Sequence, residues 1–171
     1  MITAAWRRLL GLGIAPLVLC TTDAVLTLAG QSAAYWSGTY DRVNEASPTF
    51  HHLLTIHPAA FALGIAAWMV IFLCLIFLLP DTLALIVSLV VTIGHAVGTA
   101  TWLIFRFRYG YQVCNGLFLA TAVILALSLR WGWRAAPAER FELPPSTARW
   151  RWPLVAALVA AAVYLFLLPR L

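Results

Sequence analysis

The sequence contains no lysine, and only 10% of its 171 residues are charged. A soluble domain has roughly a quarter of its residues charged, so this chain lacks the polar shell that a water-exposed fold needs. All 11 basic residues are arginine, scattered at the ends of apolar runs beside tryptophans, as in Trp6-Arg7-Arg8 and Trp150-Arg151-Trp152, and not gathered in one patch. Arginine and tryptophan so placed anchor helices at the headgroup level of a bilayer. The net charge of +5 is therefore no sign of a nucleic-acid partner.

Cysteine is sparse as well. Cys20, Cys74 and Cys114 all lie in apolar stretches, and three thiols give no complete disulfide set, so they read as packing residues. Leu17-Val18-Leu19-Cys20 is no lipoprotein box, because Leu19 stands where that box needs a small residue. The chain also lacks G-x-S-x-G, H-E-x-x-H and a phosphate-binding glycine loop, which leaves no standard hydrolase, zinc-protease or nucleotide signature.

What the chain has in abundance is apolar surface: 63% of its residues are hydrophobic. Crossing the hydrocarbon as a helix takes ~20 apolar residues, since lipid offers no partner to an unpaired backbone group. Five stretches qualify, at about 9–30, 57–79, 82–105, 113–129 and 153–168. The expected fold is all-α, a single polytopic helical membrane domain of about five transmembrane helices in contact with the lipid bilayer. Trp6-Arg7-Arg8 has the character of a signal-peptide start, with Ser32-Ala33-Ala34 as its cleavage site, but the segment is expected to stay as the first span.

With the N-terminus in the cytoplasm, Arg7, Arg8, Arg130, Arg134, Arg140, Arg149 and Arg151 lie inside and Arg42, Arg106, Arg108 and Arg170 outside, the bias that orients membrane helices. Residues 31–56 then form an external loop, Pro80-Asp81 an internal turn and residues 130–152 a cytoplasmic strap. The expected location is a cell membrane, the inner membrane of a bacterium.

An ionisable side chain at the centre of a span costs roughly 2.5–3.5 kcal/mol on insertion scales, so each one asks for a partner or a task. Two stand out, Asp23 and His95. Asp23 shares a face with Gly13, Pro16, Cys20, Thr27 and Gly30, small and polar positions at helical spacing, which predicts that it points into the bundle. His95 lies on the stripe Ser88, Thr92, Thr99 and Trp102, and Gly94 with Gly98 forms a G-x-x-x-G that predicts close approach of another helix. His57 precedes Pro58 at the start of the second span, the place where a proline suits a first helical turn. Asn115 is expected to bridge helices by hydrogen bonding near the start of the fourth.

In this topology Asp23 lies ~10 Å and His95 ~15 Å below the outer end of their helices. The outer loop adds Asp41, Glu45, His51 and His52 above them, so the ionisable groups converge on one side. Carboxylates and imidazoles in a water-poor cavity bind metal ions or share protons. Asp23 and His95 are accordingly the candidate catalytic pair, and Asp23, His95, His57 and Glu45 the candidate ligands of a divalent metal ion. The run His51-His52-x4-His57 has no standard zinc spacing, and His51 and His52 read as solvated loop residues.

Asp23 and Thr27 in the first helix, together with Asn44-Glu45-Ala46-Ser47-Pro48 before the second, resemble the pattern of a family of small prokaryotic multi-pass membrane proteins of uncharacterised function. They carry an aspartate and threonine in the first helix and an Asn/Glu-x-x-Pro element at the entrance to the second. Asn115 is a further match. The likeness spans roughly residues 20–125, and the segment around Tyr35-Trp36 and the fifth helix depart from it. It brings no activity, but it implies that Asp23 and the Glu45–Pro48 run belong to one feature.

Three functions of different class fit these residues. The first is a membrane-embedded site open to the outer face, running metal-ion or acid–base chemistry, which requires Asp23 and His95 to meet at one cavity. The second is a small accessory or assembly subunit of a larger membrane complex, in which Asp23 and His95 only fix helix register and Ala156, Ala157, Ala160 and Ala161 dock other membrane subunits. That reading expects no cavity beside Asp23. The third is a haem protein with His57 and His95 as axial ligands. Transport has less support, for the chain shows no repeat or broken helix.

Overall fold

Backbone groups in lipid must be satisfied within their own segment, and the chain meets that demand by helix. The computed structural model describes residues 4–106, 108–133 and 148–167. The elements are α1 (Ala4–Ala29), α2 (Ala33–Trp36), α3 (Pro48–Ile56), α4 (Pro58–Leu78), α5 (Asp81–Arg106), α6 (Gly110–Trp133) and α7 (Arg151–Leu167), with no strand among the described residues.

Four helices, α1, α4, α5 and α6, are long and apolar enough to cross a membrane. The fifth expected span, α7, is a shorter apolar helix of 17 residues. Leu63, Val70, Val90, Val97, Leu119 and Leu127 are exposed along the long helices. So much apolar surface would aggregate in water and belongs in lipid, which makes this a multi-pass membrane protein.

Helix α1 packs against α4, α5 and α6, while α7 lies along α4 and reaches α3. The core between them is built on Cys20 of α1 and Phe72, Leu75 and Ile76 of α4, with Val155 of α7. The expected inward stripes hold. Gly13, Pro16, Cys20 and Thr27 of α1 are buried, as are Ser88, Thr92 and Thr99 of α5. Ser88 Oγ donates to the Leu12 carbonyl at 2.6 Å and fixes the crossing of α5 over α1.

Three sequence expectations change. The 31–56 segment is no open loop, because α2 and α3 fold within it: Pro48 supplies a preset first turn for α3, and Tyr35 is fully buried with its hydroxyl donating to the Leu54 carbonyl at 3.2 Å. Asn115 is exposed on α6 and does not bridge helices. Ala156, Ala157 and Ala160 are exposed too, whereas Ala161 packs toward the core beside Leu158 and Ala162. The centre of the expected strap, residues 134–147, lies outside the described residues.

The end of the bundle away from α3 is tied by arginine. The last carbonyls of a helix have no partner within it. Arg8 donates to Ile76 O at 2.9 Å and to Leu79 O, and Arg151 donates to Leu78 O at 2.6 Å, so two arginines close the C-terminus of α4. Arg8 also pairs with Asp81 at 2.6 Å, but that carboxylate is 84% exposed. The carbonyl bonds therefore outweigh the ion pair. Arg8→Ala is expected to cost ~2 kcal/mol and Asp81→Ala less than ~1 kcal/mol, as read from thermal unfolding in detergent; equal losses would assign the clamp to the ion pair instead.

Candidate functional site

Asp23 and His95 meet. Each sits on the inward face of its own helix, and α1 and α5 cross closely enough for His95 Nδ1 to lie 2.8 Å from Asp23 Oδ2. The other ring nitrogen, Nε2, lies 3.1 Å from the indole Nε1 of Trp68 on α4. An indole N–H only donates, so Nε2 is an acceptor, the ring proton sits on Nδ1, and that N–H is donated to the Asp23 carboxylate. Trp68 and Asp23 thus set the tautomer and plane of His95 between them, in the way that partners on both nitrogens fix a histidine.

Gly98 makes this contact possible. A Cβ on Gly98 would stand 2.6 Å from Asp23 Oδ2 and 2.7 Å from Oδ1, so only glycine leaves room for the carboxylate against α5. The expected G-x-x-x-G does admit a close neighbour at Gly98, but the neighbour is a side chain. Gly94 has nothing within 4 Å of its Cβ position. It faces a void.

That void is a cavity of about 520 Å³ between α1, α4, α5 and the segment entering α3, lined by Asp23, Trp68, His95 and Gly94 and roofed by Glu45 and Ser47. Apart from Thr27 its remaining wall is apolar, with Phe50 and Phe61 edge-to-face at 5.8 Å. The volume falls in the range of small-molecule sites, ~300–1,000 Å³. Asp23 and His95 are 19% and 13% exposed, reachable from the cavity yet largely shielded. Oδ1 of Asp23 meets no hydrogen-bond donor among the described residues, leaving it as the free polar atom of the pair.

Glu45 is held over the cavity by a local clamp. The buried Gln31 side chain accepts from Asn44 N at 2.9 Å and donates to Asn44 O at 3.0 Å, which fixes the chain just before Glu45. Glu45 Oε1 then accepts from Ser47 N at 2.7 Å, and a ring nitrogen of His51 lies 3.2 Å from the Glu45 carbonyl. Glu45 and Ser47 thus line the same cavity as Asp23.

Burial pushes the Glu45 carboxyl above its usual range, the nearby Asp23 pushes the same way, and the Ser47 and Ala46 N–H groups with His51 only partly offset this. A raised carboxyl favours the protonated form in the folded state. The stability it contributes is full below the ordinary carboxylate range and is lost as pH rises through the raised value. Glu45→Gln should therefore unfold like the wild type at pH 4 and at a higher temperature than the wild type at pH 8. A variant less stable at pH 8 would mean that the ionised group is satisfied.

Of the four residues expected to hold a metal ion, Asp23, His95 and Glu45 line the cavity and His57 does not. His57 caps α4, its Nδ1 accepting from Ala59 N at 3.0 Å, and lies exposed against Tyr40 outside the cavity wall. Both nitrogens of His95 are engaged, so it has no lone pair to give to a metal ion or a haem iron. Among the described residues no three histidine, cysteine or acidic side chains are placed to hold a metal ion. Metal ligation by Asp23, His95, His57 and Glu45 is not supported, and His57 and His95 are not brought together as a haem pair, since only His95 lines the cavity.

Trp68 is the residue that the sequence reading passed over. Tryptophan belongs at the membrane interface, and a mid-span indole must find an acceptor for its N–H. That was the available signal. Compared with known protein families, curated protein sequences and solved structures, the chain has no match.

Proposed function

We propose that this membrane protein binds a small, mostly apolar molecule in the cavity beside Asp23, and that Asp23, aimed by His95 and Trp68, is the polar anchor and the group able to accept a proton from it. The observation that carries the reading is the joining of the Asp23–His95 pair to a cavity of about 520 Å³. A purely structural pair in an accessory subunit calls for packing around the carboxylate and has no use for that space. Preorganisation supports a site as well: the carboxylate is held by one oxygen and left open at the other, between the His95 ring and the Gly98 backbone. The arginine asymmetry of the sequence puts the roofed end of the cavity on the outer face of a cell membrane.

The test fills the cavity from Gly94, where an added side chain meets open space. Organic extracts of wild type and Gly94→Phe, each purified from its native membrane, are compared by mass spectrometry. A compound held stoichiometrically by the wild type and absent from a folded Gly94→Phe is expected. Identical extracts from two folded proteins would sink the proposal and return Asp23 and His95 to a structural pair.

A further inference from the structure

The acidic groups of the cavity meet no opposite charge among the described residues. Asp23 and Glu45 both line it, no described arginine does, and His95 spends its one N–H on Asp23. Carboxylates in a low-dielectric wall attract a cation far more strongly than they would in water. The aromatic side chains of Phe50, Phe61 and Trp68 line the same cavity, and aromatic surroundings favour an ammonium group. Below His95 the wall is made by Val90 and Val91 of α5, which offer only hydrocarbon.

The place where this wall reaches the surface is equally telling. Val90 is 63% exposed and Gly94 is exposed, and both share the cavity wall near the middle of the 26-residue α5. Gly94 is twelve residues from Arg106, ~18 Å along the helix, a depth at which the surroundings are acyl chains. Above the cavity, Glu45 and Ser47 are pinned by the Gln31–Asn44 clamp.

Resting on the cavity reading above, we propose that the ligand is a membrane-dissolved amphiphile with an ammonium head. It enters from the hydrocarbon beside Val90 and Gly94, sets its head within reach of Asp23 and Glu45, and leaves its chain along Val90 and Val91. Carboxylates supply recognition of the head, and the side opening supplies the route.

The test uses the full chain in lipid nanodiscs and three probes with the same diazirine-bearing hexadecyl chain, ending in trimethylammonium, hydroxyl or sulfonate. The ammonium probe is expected to label α4 and α5 saturably, and labelling should fall at least about tenfold in Asp23→Asn and in Glu45→Gln, the scale of one hydrogen-bonded or paired charge. Asp23→Asn keeps an oxygen to accept from His95, and Glu45 lies outside the spans, so both variants are expected to fold; unfolding temperatures establish this before labelling. Equal labelling by the hydroxyl probe overturns the ammonium head while leaving the cavity reading intact. Complete competition by water-soluble tetramethylammonium overturns entry from the hydrocarbon. Saturable labelling by none of the three overturns both this inference and the reading beneath it.

Discussion

His95→Leu is expected to be among the most damaging single changes in this chain, worse than removing its partner along with it. The substitution leaves the Asp23 carboxylate, 19% exposed, with no donor, and deprives the Trp68 N–H of its acceptor. Leaving a shielded carboxylate without its hydrogen-bond donor costs about 1–3 kcal/mol or more, because the charge stays desolvated, whereas replacing both partners by apolar groups can be close to neutral. Asp23→Leu/His95→Leu should therefore recover ~2 kcal/mol of the loss, the remainder reflecting the indole N–H that no longer donates to His95. Asp23→Asn should be mild, since the amide oxygen still accepts from His95. Thermal unfolding of the four proteins in one detergent reads the order directly. If the double variant is as unstable as His95→Leu, the carboxylate is not the desolvated group that the cavity reading requires.

The same substitution four residues apart is expected to have opposite signs. Gly98→Ala places a methyl 2.6 Å from Asp23 Oδ2, and the carboxylate, held on its far side by His95, has nowhere to retreat without breaking the pair. Overpacking of this kind costs ~1–3 kcal/mol, and ligand binding should go with it. Gly94→Ala meets nothing within 4 Å and replaces glycine in mid-helix by the best helix former, a gain of up to ~1 kcal/mol. Unfolding temperatures of both variants, with probe labelling as a second readout, check the pair. Equal behaviour would mean that α5 shifts to absorb the added methyl at Gly98.

How far these features were legible in the sequence differs from residue to residue. The stripes through Asp23 and His95 predicted inward faces because burial follows helical spacing, and charge in lipid must be hidden; both principles are local. The metal expectation finds no support because it counted donor residues without asking which lone pairs were free. Whether Nε2 of His95 is available depends on Trp68, 27 residues away on another helix. Asn115 was misplaced for a related reason: its polarity suggested a partner, but which face of α6 packs on α1 and α5 is decided by neighbours. The helices within residues 31–56 follow from Pro48 at a first turn and from Tyr35, whose burial no periodicity announces.

Glu45 shows the opposing demands that a site places on a fold. Its ionised form is disfavoured by burial, and Glu45→Gln should be the more stable protein at neutral pH and the poorer binder. Natural proteins keep such residues where activity needs them.

The roof over the cavity is fastened at Gln31–Asn44 and Tyr35–Leu54. A cover stitched down at two points keeps bulk water from being the reservoir that the site samples. The concentration that matters is then that of the ligand dissolved in the surrounding leaflet, which partitioning raises far above its aqueous value. A weak intrinsic affinity suffices under those conditions, and the occupancy of the site reports the composition of the membrane around it.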